Sequence, residues 1–216
     1  MDLSADSITI LADDWDNPSS NVVTITGIDE LFADGNQELI LITGDPTSAN
    51  PFYDAIGADD VSNPTLTNED DDFAQVAFNL SDNVSENGTT SILSVSLTSA
   101  INTDVFLNFA VIDTTELIIN FTELVFTKDN WNISQEIIVT GKDDPIIDGD
   151  IGSEIMISVD DVLSDITYRT VLPTSVVVIN VDNDDLDGDG IRNDLDNCYL
   201  TSNYDQFDLD KDGIGD

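Results

Sequence analysis

The chain repeats itself, and the repeat is out of phase with the way the chain begins. The segment Ala12-Asp13-Asp14-Trp15 recurs as Lys128-Asp129-Asn130-Trp131. An apolar alternating stretch follows each tryptophan and closes on a glycine, Gly27 in one copy and Gly141 in the other. Asp34-Gly35 and Asp148-Gly149 come at the same distance beyond those glycines. Each copy then runs through another apolar strand pattern into an acidic cluster, Asn68-Glu69-Asp70-Asp71-Asp72 and Asp182-Asn183-Asp184-Asp185. Self-similarity of this kind restricts a fold to one supersecondary unit used more than once. Residues 1–72 read as the C-terminal half of a unit, residues 73–184 as a complete one, and 185–216 as a separate acidic segment. A half unit is expected to lack the strands it should pair with and to carry an exposed edge. The chain therefore reads as a piece of a longer precursor.

The periodicity is that of β-strands. Leu93, Val95 and Leu97 alternate with polar neighbours, as do Val105, Leu107, Phe109 and Val111, with Phe106 making the second run apolar on both faces. Further strands are expected over 117–121, 136–140, 155–159 and 176–181. Gly, Asn, Asp and Pro separate them, and no stretch has the spacing of a long amphipathic helix. Short strands punctuated in this way predict an all-β chain, an immunoglobulin-like antiparallel β-sandwich. Trp15 and Trp131, at matching places beside a strand, are expected to pack against the core or the sandwich edge and not to bind ligand.

Charge decides the class of partner. Against 45 acids stand five basic residues, for a net charge of −40. Nucleic acid needs Lys and Arg at its phosphates, and an anionic membrane surface needs them too. Both are excluded, and cations are the attractive partners. With 40% apolar residues the chain can still build a core, so it is not a disordered acidic tail. Only eight of the acids are Glu. An excess of clustered Asp among Gly and Asn points to turns and oxygen cages; the alternative is a halophile's acidic surface. The absence of His removes imidazole catalysis and most zinc sites. Intrinsic enzymatic activity is not expected. No apolar run is long enough to span a membrane, and the first residues lack a signal-peptide pattern.

In the complete unit, Val84-Ser85-Glu86-Asn87-Gly88 precedes the strand through Val95 and Leu97. Asp113-Thr114-Thr115-Glu116, Leu124-Val125-Phe126, Trp131, the run Ile137 to Asp144, Asp148-Gly149-Asp150 and the terminal Asp182-Asn183-Asp184-Asp185 follow in order. This order resembles the Calx-beta family. The resemblance implies an immunoglobulin-like sandwich and a calcium site at one end. Its ligands would be Glu86, then Asp143, Asp144 and Asp148, then Asp182, Asp184 and Asp185, with Asp113 a weaker candidate. The family's Gly-x-Asp-Tyr before the middle strand is missing, and Asn183 interrupts the last Asp triplet. Three acidic segments converging at one end would repel one another unless a cation intervened or their pKa values rose. Calcium takes roughly 6–8 oxygen ligands in a flexible geometry, whereas magnesium demands a strict octahedron. The alternative is a set of acidic turns that only join strands.

Asp-x-Asp-x-Asp-Gly-Ile occurs twice at the C-terminus, at Asp185, Asp187, Asp189, Gly190 and Ile191 and at Asp208, Asp210, Asp212, Gly213 and Ile214. Alternate Asp side chains on a tight loop point at one centre, Gly permits the turn, and the next residue offers its carbonyl. This is the first half of an EF-hand loop without its closing Glu or flanking helices. With Asp194-Leu195-Asp196-Asn197-Cys198 and Asn203-Tyr204-Asp205-Gln206, the segment resembles a thrombospondin type 3 repeat, with Tyr199 and Tyr204 where that family has prolines. The resemblance implies ligands at Asp185, Asp187, Asp189, the Ile191 carbonyl, Asp194, Asp196, Asp208, Asp210, Asp212, the Ile214 carbonyl and Asp216, with Asn203 and Asp205 as possible contributors. It also implies that Cys198 pairs with a cysteine just beyond Gly-Ile-Gly-Asp, and hence an oxidising compartment. The expectation is a calcium-binding structural or adhesive module, secreted or at the cell surface, with other surface proteins or glycans as partners and no membrane insertion of its own. The alternatives are an accessory spacer beside a hydrolase domain and a calcium sensor that regulates a partner.

Overall fold

The computed structural model describes residues 1–215. Its contacts divide the chain into two compact units, one of residues 1–73 and one beginning at Ala74. The alternation seen in the sequence becomes strand pairing in both, but only the second closes a core.

The first unit has four short strands, β1 (Asp2–Leu3), β2 (Ile25–Thr26), β3 (Gln37–Ile40) and β4 (Thr65–Asn68). They form two separate antiparallel pairs, β1 with β2 and β3 with β4. Between β3 and β4 lie a one-turn helix, α1 (Pro51–Asp54), capped by the Asn50 side chain, and a 3₁₀ turn at Ala58–Asp60. No residue of this unit is buried. Trp15, expected to pack against a core or an edge, is instead 68% exposed. The physical reason is that residues 1–73 hold too few strands to enclose a side chain of that size.

The second unit is an immunoglobulin-like β-sandwich. Its strands are β5 (Val76–Leu80), β6 (Val84–Ser85), β7 (Thr90–Leu97), β8 (Val105–Val111), β9 (Leu117–Ile119), β10 (Glu123–Phe126), β11 (Gln135–Gly141), β12 (Ile151–Val159) and β13 (Thr174–Val181). One sheet runs β5-β7-β11-β9 and the other β10-β8-β12-β13-β6. All pairs are antiparallel except β6 with β13. That exception arises because the chain crosses between sheets at 81–83, so β6 arrives running with β13. The crossing is held by Ser91, whose hydroxyl takes the Asp82 N–H and lies 3.0 Å from the Ser81 hydroxyl. Alternation places Leu93, Val95 and Leu97 inward from one sheet and Val105, Leu107 and Phe109 inward from the other, all buried. Ile137, Val139, Ile155, Ile157 and Val178 complete the layer between the sheets. Trp131 is half-buried against this core. The strand expected over 117–121 stops at Ile119, where the Asn120 side chain takes over the ladder bond to the Ile138 N–H.

Loop 160–171 closes the end opposite the acidic loops. Tyr168 is buried, and its hydroxyl accepts from the Ser99 N–H and bonds the Ser99 carbonyl, each at 3.0 Å. Asp165 takes the N–H groups of Asn102 and Thr103 on one oxygen, each at 2.9 Å. Beyond Val181 the chain has no helix or strand among the described residues and is built of turns. It is tied back to the sandwich by Asn193, whose N–H donates to the Asp184 carbonyl, and by Arg192, which donates to the Pro145 carbonyl. No helix is long and apolar enough to cross a membrane among the described residues.

Candidate metal centres

One end of the sandwich gathers acids from three distant segments. Glu86 lies in the turn after β6 and donates its N–H to the Val181 carbonyl, which brings it beside the residues leaving β13. Oxygens of Glu86, Asp182 and Asp184 all lie within 4.8 Å of one another. Glu86 is only 2% exposed. Its one backbone donor is the Asn183 N–H at 3.3 Å. Asp182 is held in place by the N–H of Gly149 at 2.8 Å and of Asp184 at 2.7 Å. The Oδ2 of Asp184 is buried and accepts no hydrogen bond.

This arrangement resists ionisation. Burial pushes the Glu86 carboxyl up to about 7; the Asn183 N–H opposes it, and the charges of Asp182, Asp144 and Asp184 reinforce it. Asp184 is also raised, by burial and then by Asp182, with Arg192 pulling the other way. A buried carboxylate with carboxylate neighbours is stabilised by a cation or by its own proton.

A second grouping lies alongside. Oxygens of Glu116, Asp144 and Asp148 fall within 4.8 Å of one another. Glu116, just before β9, is buried and accepts from Asn180 Nδ2 at 3.1 Å. Asn180 also donates to the Lys142 carbonyl at 2.9 Å, so it bridges β13 to the acidic loop. Gly141 permits the closeness, because a Cβ there would sit 2.3 Å from the Ser85 carbonyl and 2.4 Å from Asn180 Oδ1. Asp143 is exposed and joins neither grouping, although its charge is felt at Asp184. Asp113 spends one oxygen on the Thr115 N–H and hydroxyl and is not part of either.

The C-terminal segment forms two loops of one design. Asp185, Asp187 and Asp189 bring oxygens within 4.8 Å, as do Asp208, Asp210 and Asp212. In the first loop Asp185 accepts from the N–H of Gly188 at 2.9 Å and of Gly190 at 2.8 Å. In the second Asp208 accepts from Lys211 at 2.6 Å and Gly213 at 3.0 Å. Ile191 and Ile214 donate to Asp189 and Asp212 in the same way, at 2.8 and 2.9 Å. The matched positions share a left-handed backbone, with φ 74° at Gly188 against 64° at Lys211, and 86° at Gly190 against 89° at Gly213. Lys211 therefore carries strain that Gly188 avoids.

In the first loop Asp187 Oδ2 is buried without a donor, and so is Oδ2 of Asp196. Asp187 is raised by burial and then by the charge of Asp189, with Asp196 and Asp185 adding to it. Asp196 thus lies close enough to be felt at the loop. Asp194 is engaged elsewhere, in a two-point ion pair with Arg192 that lowers its pKa. Asn203 donates its N–H to Asp189 Oδ2, and Asp205 belongs to no grouping. Asp216 lies outside the described residues. Cys198 is half-buried, with its sulfur 3.8 Å from the Gly215 carbonyl.

Sequence reasoning quoted Glu116 and the acidic cluster at 68–72 but named none of Glu116, Asp29, Asp71 and Asp72 as a ligand. Glu116 had a readable sign, a charged residue set directly against the apolar run that starts at Leu117. Asp29 matches Asp143 in the repeat, so its nearness to the terminal acids could have been carried across.

The donor sets decide which cations fit. Every grouping is built of carboxylate oxygens alone among the described residues, with neither sulfur nor imidazole. Such sets suit calcium or magnesium and not zinc or copper. The donorless oxygens of Asp184, Asp187 and Asp196 are what a coordinated cation would satisfy.

No protein-family model matches the chain, and no curated protein matches it. Among solved structures, the MSP-domain-like protein SSP-19 of Caenorhabditis elegans is 10% identical, covering 47% of this chain and 92% of its own, at a TM-score of 0.32. The Salmonella enterica SafA pilin in complex with the SafB chaperone gives 13% identity, 50% and 54% coverage and a TM-score of 0.35. The Escherichia coli chaperone DraB gives 7% identity, 51% and 55% coverage and a TM-score of 0.33.

Proposed function

We propose that the chain is a calcium-binding structural and adhesive module of a large secreted or cell-surface repeat protein, a Calx-beta-like sandwich followed by a thrombospondin type 3 repeat. Calcium neutralises acids that the fold presses together and so stiffens the acidic loops and the join between sandwich and repeat. The observation that carries this reading is the set of buried carboxylate oxygens with no donor, on Asp184, Asp187 and Asp196, within or beside the acid groupings. A solvated acidic turn would leave such oxygens in water. The bonds that Asn193 and Arg192 make to the sandwich support a stiffened join, because the loop at Asp185 starts one residue after Asp184. The module has no chemistry of its own, and its adhesion partners are other surface proteins or glycans.

Calorimetric titration of calcium into the chelator-stripped chain tests this. Dissociation constants on the order of 10⁻⁴–10⁻³ M are expected for extracellular modules. Asp187→Asn and Asp210→Asn should each abolish a different binding event and leave the rest. Absence of binding at millimolar calcium, or binding indifferent to both substitutions, would contradict the proposal.

A further inference from the structure

Residues 1–73 repeat, over shorter stretches, the strand pairing of the second half of the sandwich. β1 and β2 pair Asp2 with Thr26 and Leu3 with Ile25. β9 and β11 pair the matching residues, Ile118 with Thr140 and Ile119 with Val139. β3 and β4 pair Gln37 with Asn68 through to Ile40 with Thr65. β12 and β13 pair Ile151 with Asn180 through to Glu154 with Val177 in the same register. The turns agree as well. Gly35 and Gly149 both have a left-handed φ, 81° and 78°, and donate to Asp70 and Asp182 respectively. Asn68 Nδ2 reaches the Ile28 carbonyl as Asn180 Nδ2 reaches that of Lys142.

The pairings differ on the outer side of these strands. In the sandwich β11 also pairs with β7, β12 with β8, and β13 with β6. Their counterparts β2, β3 and β4 have no second neighbour among the described residues. The side chains register the difference. Phe126 is 0% exposed, and its counterpart Ile10 is 58% exposed. An apolar strand edge left open in this way is a pairing surface.

We propose that the open face of residues 1–73 is an assembly surface whose occupant is a first half-sandwich of the same repeat, equivalent in strand order and chemistry to residues 74–116. The repeat specifies the chemistry of that occupant. It supplies strands in the places of β6, β7 and β8, with alternating apolar residues facing β2, β3 and β4. It also supplies two acids in the places of Glu86 and Glu116, because Asp70, Asp72 and Asn68 stand where Asp182, Asp184 and Asn180 meet those residues. A second copy of this chain is a poorer occupant. Its own residues 74–116 already bury Val95 and Leu107 completely, and lending them would open that core. Two chains of net charge −40 also repel. The pairing rests on strand register and does not depend on the calcium reading.

The test adds a copy of residues 74–116 ahead of Met1 in the full chain, so that Met1 takes the place of Leu117 and Asp2 that of Ile118, with Trp131→Phe so that Trp15 is the only tryptophan. Hydrogen exchange at 25–26, 37–40 and 65–68 and quenching of Trp15 are read in the chain with and without the addition. Amides in an unsupported pair exchange almost freely. The expected result is little protection in the original chain, a rise of about a hundredfold or more in the extended one, and a shielded Trp15 in a monomer. An addition carrying Leu93→Asp and Val95→Asp in the added copy should give none of this. Protection already present in the monomeric original chain would overturn the proposal, as would protection that appears only with dimerisation. So would an extension that leaves exchange and quenching unchanged while amides of β7 and β11 in the native sandwich stay protected.

Discussion

Glu86 holds a carboxylate where the fold gives it almost no water and mostly negative neighbours. With its carboxyl raised from 4.5 to about 7, the folded chain keeps a proton that the unfolded chain releases. Linkage then gives the sign: where the native state binds more protons, stability falls as pH rises. For this group the loss begins above about 4.5 and is complete just above 7. The calcium-free chain is therefore predicted to lose thermal stability between pH 5 and 7, and millimolar calcium should flatten that slope. Melting curves across that range, with EDTA and with calcium, check it. Glu86→Gln should raise the midpoint in EDTA by several degrees, since each kcal/mol is worth about 4–8 °C in a small domain. The same substitution should shrink the calcium-induced rise. A fall in both conditions would mean that Glu86 acts only through packing. Glu86 was legible in the sequence only through the Calx-beta resemblance of its segment. Glu116, in the neighbouring grouping, was not, because one acid before an apolar run looks like any strand end until Asn180 is brought across from β13.

At the scale of elements, alternation foretold the inward residues of β7 and β8, since a strand with one face on a core leaves a period of two. It could not foretell the crossing between β5 and β6, which depends on the Ser81, Asp82 and Ser91 hydrogen bonds and not on hydropathy. Nor did it point to Tyr168, because loop 160–171 has no period and the tyrosine is buried by packing into the core, with its hydroxyl bonded to the distant Ser99. Tyr168→Phe should leave the Ser99 N–H and carbonyl short of partners and cost about 1–3 kcal/mol, read by denaturant unfolding with an unchanged slope. Gly141→Ala tests the close approach of β6, β11 and β13. A Cβ 2.3 Å from the Ser85 carbonyl cannot be accommodated without moving backbone, and overpacking of this sort costs about 1–3 kcal/mol. Gly149→Ala should cost less, because only its positive φ resists the side chain and nothing lies within 4 Å of the added carbon.

The whole molecule is a closed sandwich, a half sandwich and a turn-built acidic segment, each with a different source of stability. The sandwich has its apolar layer. Residues 1–73 have two short strand pairs and no buried residue. Residues 182–215 have hydrogen bonds among acids, amides and turns, and little apolar packing. The duplication and the Asp spacing made that division legible in the sequence, while the exposure of Trp15 needed the missing strands to be seen. A charge of −40 in such a chain makes cations the natural source of cohesion. The most direct measurement of that claim is thermal unfolding at pH 7.4 with EDTA, with millimolar calcium and with the same concentration of magnesium, followed by limited proteolysis after Asp185. The account predicts a midpoint raised by calcium well above that in magnesium or EDTA, with 185–215 becoming protease-resistant only in calcium. Identical melts and identical cleavage in all three would contradict it and leave the acids as solvated surface.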